Sequence, residues 1–68
     1  MDKIPVKSYS SREIIKILAA DGWKLKNSDG DHFNFVHDTK PGKVTITHPV
    51  KNIPKGTVNS ILKQAGLK

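Results

Sequence analysis

Sixty-eight residues with no cysteine leave room for one domain and one small core, and they exclude both a disulfide framework and a thiolate zinc site. The longest apolar runs, Ile14 to Ile15 and Ile17 to Ala20, are far too short for a membrane span or the core of a signal peptide, so a cytoplasmic protein is expected. The formal charge of +6 is unevenly placed: residues 1–38 hold six bases and six acids, whereas residues 39–68 hold six lysines and no acid, the electrostatic footprint of a polyanion-binding chain.

Residues 1–9 carry Pro5 and no sustained pattern, and read as an N-terminal arm. Ser10 stands three residues before Glu13, the spacing of a capping box, so a helix should start here. Ile14, Ile17 and Leu18 follow at i, i+3 and i+4 with Ile15 beside them. Gly22 ends the run as a residue able to take positive φ, which puts Trp23 against Leu18. Trp23 and Leu25 alternate with Lys24 and Lys26, as a half-buried strand requires, and Asn27, Ser28, Asp29 and Gly30 are expected to form the turn. A second strand is predicted from His32 to about His37, a Pro-Gly turn from Asp38 to Gly42, and a third strand from Lys43 to Thr47 with Val44 and Ile46 inward. After His48 and Pro49 a basic loop leads to Pro54 at the start of a second helix, on which Val58, Ile61, Leu62 and Ala65 form one stripe. Gly66 and Leu67 stop it as Gly22 and Trp23 stop the first.

The order is α-β-β-β-α, an α+β domain with a three-stranded antiparallel meander, and residues 1–68 read as a single domain without repeats or an internal linker. Both helices are expected to cover the face bearing Trp23, Leu25, Phe33, Phe35, Val44 and Ile46. The opposite face stays open, and strand parity places Lys24, Lys26, His32, Asn34, Val36, Lys43, Thr45 and Thr47 on it. Cations, hydroxyls, an amide and an imidazole suit a sugar-phosphate backbone.

His32 is the foremost candidate for chemistry. Gly30 lets the chain turn just before it, and alternation against Phe33 and Phe35 points its ring outward, where an imidazole can exchange protons near neutral pH. An exposed strand histidine is by default only a solvated residue, so a catalytic role for His32 rests on the residues around it. His37 shares parity with Phe33 and Phe35 and reads as a ring packed at the strand end; His48, before Pro49, reads as a turn residue. A zinc site of His32, His37 and His48 is disfavoured by the opposite parity of the first two, and Asp29, Asp31 and Asp38 read as turn-formers rather than metal ligands, so no metal and no cofactor is expected. Trp23, at a helix end, reads as core rather than as a base-stacking platform.

Gly22-Trp23, Gly30-x-His32 with His37 five residues on, Pro41-Gly42-Lys43-Val44-Thr45, His48-Pro49, and Gly56-Thr57 followed by Ile61-Leu62-Lys63-Gln64-Ala65-Gly66 occur in an order that resembles the HicA toxins, small ribonucleases of bacterial toxin–antitoxin pairs. The resemblance covers Ser11 to Leu67. It implies a fold similar to the double-stranded RNA-binding domain, His32 as the catalytic residue, single-stranded messenger RNA as the substrate class, and a HicB-type antitoxin that binds and blocks the site. Two positions depart from the family pattern: Asp31 stands where a Ser usually precedes the catalytic His, and Thr47 where a Pro often precedes the later His-Pro pair.

The mechanism expected on this reading is attack by the RNA's own 2′-hydroxyl, with His32 as general base and lysines stabilising the developing charge, a route that requires no metal. Lys24, Lys26, Asn34, Lys43, Thr45, Lys51 and Lys55 are the candidate RNA contacts, with Gly30 as the structural loop residue. Two other readings use the same surface: a non-catalytic RNA-binding module, and a protein-interaction domain.

Overall fold

The computed structural model describes residues 4–5 and 7–68. Two helices and a three-stranded antiparallel sheet follow in the order α1 (Ser11–Ala20), β1 (Trp23–Asp29), β2 (His32–His37), β3 (Val44–Thr47) and α2 (Lys55–Gln64), an α+β fold with β2 at the centre of the sheet. None of the described helices is long and apolar enough to cross a membrane.

The capping box forms as the sequence predicts. Ser10 Oγ accepts from the Glu13 N–H at 3.1 Å, and Glu13 Oε1 accepts from the Ser10 N–H at 2.9 Å. That hydrogen bond from the Ser10 backbone also holds the Glu13 carboxyl below its ordinary pKa. Both helices stop at glycines with positive φ, Gly22 at 99° and Gly66 at 70°. After α2 the Gly66 N–H donates to the Lys63 carbonyl and the Leu67 N–H to that of Leu62, a paired closure that needs the left-handed residue between them.

One core forms between the helices and one sheet face. Ile14 and Leu18 of α1 and Val58, Ile61 and Leu62 of α2 join Trp23, Phe35, Val44 and Ile46 of the sheet, with Phe33 packed at its margin. Complete burial of an Ile or Leu such as Ile14, Leu18, Ile46 or Leu62 contributes about 1.5–3 kcal/mol each. Tyr9 belongs to this core as well, a residue that the predicted arm leaves outside it. Its backbone bridges to Ile53 and its hydroxyl donates to the Pro5 carbonyl at 2.9 Å. Residues 1–3 and 6 of that arm lie outside the described residues.

The first hairpin departs from expectation in a way that matters for the site. Asn27, Ser28 and Asp29 are not turn residues but part of β1, paired with Asn34, Phe33 and His32, and the turn is only Gly30-Asp31. Gly30 has φ +65° and Asp31 does not share its sign, the pattern of a type II′ hairpin turn, whose twist matches that of the strands. Register shifts between Leu25, opposite Phe35, and Asn27, opposite Asn34, so Lys26 is an extra residue in a β-bulge. Leu25, expected in the core, is 51% exposed: it lies on the outer strand just before the bulge, where the core cluster does not reach.

Candidate functional site

His32 opens the central strand, opposite Asp29 of β1 and Thr47 of β3, so residues from all three strands meet at one end of the uncovered face. Its side chain is 60% exposed, and its nearest charged neighbour is the Asp31 carboxylate, Oδ1 lying 3.9 Å from Nδ1. Neither ring nitrogen has a hydrogen-bond partner among the described residues, which distinguishes His32 from the other two imidazoles.

His37 sits at the other end of β2 and is engaged on both nitrogens. Nε2 donates to the Asp21 carbonyl at 2.6 Å, while Nδ1 accepts from the Thr39 and Lys40 N–H groups at 3.1 and 3.2 Å, a pattern that requires the hydrogen on Nε2. Its ring meets Trp23 edge-on with centroids 5.2 Å apart, the packing role that parity predicts. His48 is more than a turn residue. Its Nδ1 lies 2.6 Å from Ser11 Oγ and its ring meets Phe33 edge-on at 5.1 Å. Its N–H donates to the Asp31 carbonyl at 2.8 Å, which continues the β2–β3 pairing up to the residue before His32.

Beyond His32 the open face carries a hydrogen-bonded row across the sheet. Thr45 Oγ1 donates to Asn34 Oδ1 at 2.7 Å, and Asn34 Nδ2 donates to Asn27 Oδ1 at 2.8 Å. The bulge creates this row, because it turns Asn27 and Asp29 to the face where unbroken alternation would put Lys26. Lys26, exposed, becomes the extra residue of the bulge, and Asn27 takes the position opposite Asn34. Lys24 stays on the face opposite Val36, but its ammonium is bound to Asp38 at 3.1 Å. Lys43 directly precedes β3, Lys51 lies in the loop after it, and Lys55 opens α2; all three are exposed and have no carboxylate within 4.0 Å among the described residues. Lys43, Lys51 and Lys55 thus lie outside the strands, and two acidic residues neighbour His32, Asp29 opposite it and Asp31 before it.

Sequence reasoning missed two polar clusters. Ser11 is 1% exposed; its Oγ accepts from the Val50 N–H at 2.9 Å besides meeting His48. The signal was a serine at the position three before Ile14, on the apolar stripe of α1. The other cluster surrounds Asp21, whose carboxylate accepts from Lys40 Nζ and, at 3.2 Å, from Trp23 Nε1. Lys40 lowers the Asp21 pKa, burial opposes the shift, and Trp23 and His37 add to it.

The fold and the site define a small basic α+β domain that displays an unengaged imidazole on an open sheet face. The family model of the HicA toxin of bacterial toxin–antitoxin systems matches residues 11–67, nearly the whole chain. The chain belongs to the HicA toxin family and is the toxin member of a toxin–antitoxin pair. No curated protein matches it.

Proposed function

We propose that this toxin is a metal-independent endoribonuclease that cleaves single-stranded messenger RNA in the cytoplasm, with His32 as general base. The observation that carries this reading is the state of the three imidazoles: His37 and His48 are tied into the fold, whereas His32 is exposed on the uncovered face with both nitrogens unengaged. In the proposed step His32 takes the proton of a 2′-hydroxyl, the oxygen attacks the adjacent phosphorus, and the bond to the 5′-oxygen of the next nucleotide breaks. That oxygen takes a proton from water as it leaves, the imidazolium returns its proton to solvent, and the other product ends in a 2′,3′-cyclic phosphate. A positioned base contributes about 10²–10⁴ in rate. Gly30 sets the turn that presents His32. Of the candidate lysines, Lys43, Lys51 and Lys55 have no carboxylate within 4.0 Å among the described residues and can meet phosphates, with Asn34 and Thr45 offering their remaining polar capacity; Lys24 would first have to leave Asp38, and Lys26 would reach RNA from the bulge. A HicB-type antitoxin silences the protein by covering this face.

His32→Ala tests the reading. The variant should lose RNA cleavage in EDTA and growth toxicity while retaining affinity for RNA, and an all-DNA strand should not be cut by the unaltered protein. Retained cleavage in His32→Ala, or cleavage that EDTA abolishes, overturns the mechanism. RNA binding without any cleavage by the unaltered protein would leave a non-catalytic RNA-binding module.

A further inference from the structure

β3 is an outer strand, and its far edge is uncovered. The phase of the β2–β3 ladder follows from the bond between the His48 N–H and the Asp31 carbonyl. Hydrogen-bonded and non-bonded pairs alternate along an antiparallel ladder, so Ile46 and Val44 turn their backbone groups toward β2 while Thr47 and Thr45 turn theirs outward. Among the described residues no backbone or side-chain group pairs with those outward N–H and C=O groups.

The two edges of the sheet are treated differently. β1 carries a bulge and two lysines, devices that discourage strand pairing. β3 reads Val-Thr-Ile-Thr, four β-branched residues with neither charge, proline nor bulge. Beside it, between β3 and α2, runs a groove of about 320 Å³ with Ile53 and Ile61 in its lining and Thr57, Ser60 and Gln64 on its helical wall.

Charge selects the occupant. Residues 39–68 contain no acid, and exposed Lys43, Lys51 and Lys55 flank the strand at both ends. A second copy of the same edge would set these lysines against each other. Phosphates could accept from the outward N–H groups, but they would face the outward carbonyls of Thr45 and Thr47 with like partial charge; a polypeptide strand answers both. We infer that the β3 edge accepts an extended, acidic segment of a partner protein as a fourth strand, paired at Thr45 and Thr47, with an apolar side chain in the groove and carboxylates toward the lysines. This inference stands whether or not the protein cleaves RNA.

The test is an amide-resolved NMR titration of the full chain with the peptide Glu-Val-Glu-Val-Glu-Val, its Lys-Val counterpart and an oligouridylate. The acidic peptide should shift the Thr45 and Thr47 amides saturably and slow their hydrogen exchange, and the basic peptide should not. Thr45→Pro removes one outward N–H and should weaken binding by about tenfold, the equivalent of one hydrogen bond, whereas Thr45→Val should bind like the unaltered chain. Should Thr45→Pro misfold, Ser60→Tyr decides, since it fills the groove from the helix without touching the ladder and should block the peptide. The inference is overturned if millimolar acidic peptide leaves Thr45 and Thr47 unmoved or if Ser60→Tyr binds it unchanged. It is equally overturned if only RNA moves these amides, or if they move with protein concentration alone.

Discussion

The Lys40 ammonium donates to the carboxylate of Asp21 and, at 3.0 Å, to the carbonyl of Ala65, so one cation joins the C-terminal caps of both helices. It sits where two helix dipoles end, and both partners are about a quarter to a third exposed. Lys40→Met should therefore lower stability by about 1–2 kcal/mol, short of the value for a fully buried charged hydrogen bond. In a domain of this size each kcal/mol is a shift of about 4–8 °C in Tm, which a thermal melt resolves.

Asp21 makes that stabilisation dependent on pH. Lys40 holds its carboxyl pKa below the unfolded value, so the stabilisation is complete above the unfolded value and is lost as pH falls through the folded one. Tm of the unaltered protein should fall steeply below about pH 4, where unfolded Asp begins to protonate. Asp21→Asn should start lower at pH 7 and fall less. A residual slope is expected in the variant, because Glu13 is lowered too. Parallel melting curves for the two proteins would refute the assignment.

Gly22 and Gly30 both have positive φ but different surroundings. A Cβ on Gly22 would lie 2.8 Å from His37 Nε2, against the atom that donates to Asp21, whereas one on Gly30 meets nothing within 4 Å. Gly30→Ala should cost only the backbone strain, about 1–2 kcal/mol. Gly22→Ala should cost more, because the His37 ring must also move off Trp23 and the Asp21 carbonyl. Urea midpoints of the two variants give the order directly.

These contrasts mark what local sequence pattern carries. Ser10 and Glu13, Gly22 and Gly66, and the inward Val44 and Ile46 follow from spacing within one element, so both helices and the order of the strands were legible. The bulge at Lys26 was not, because Asn27-Ser28-Asp29-Gly30 has the composition of a turn, and only pairing with β2 reveals three of those residues as strand. The outward direction of His32 was readable from its own strand. Its neighbours Asp29 and Asn27 were not, since their face depends on a register shift in β1. Lys40 with Asp21, Ser11 with His48, and Tyr9 with Ile53 join residues far apart in the chain by polar or single-bridge contacts, which leave no periodic trace.

The carboxylates around His32 give the RNA reading a quantitative consequence. Asp29 lies opposite His32 and Asp31 precedes it, so a phosphate held at the imidazole meets two like charges. Asp31→Asn and Asp29→Asn should each tighten RNA binding at low salt. A single charge about 8 Å away in water is worth roughly 0.5 kcal/mol, or about twofold in affinity. The gain should shrink toward 0.5 M salt, where screening acts over only a few ångströms. Titrations at two salt concentrations check it, and unchanged affinity at low salt would place the phosphate away from His32.

Ser11 and His48 can be separated by what each leaves behind. In Ser11→Ala the half-buried Val50 N–H loses its acceptor and His48 Nδ1 loses its partner, so the loss should reach about 1–2 kcal/mol, at the lower end of the cost of leaving a buried polar group unsatisfied. In His48→Ala the serine keeps its bond to Val50, so the loss comes from the edge contact with Phe33 and one hydrogen bond, about 1–2 kcal/mol. The double variant should cost less than the two losses added, because the shared bond is counted twice, and a coupling of at least about 0.5 kcal/mol is expected from a chemical-denaturation cycle. Additive losses would mean that the 2.6 Å approach of Ser11 to His48 contributes nothing, and that the serine is retained in the apolar stripe for Val50 alone.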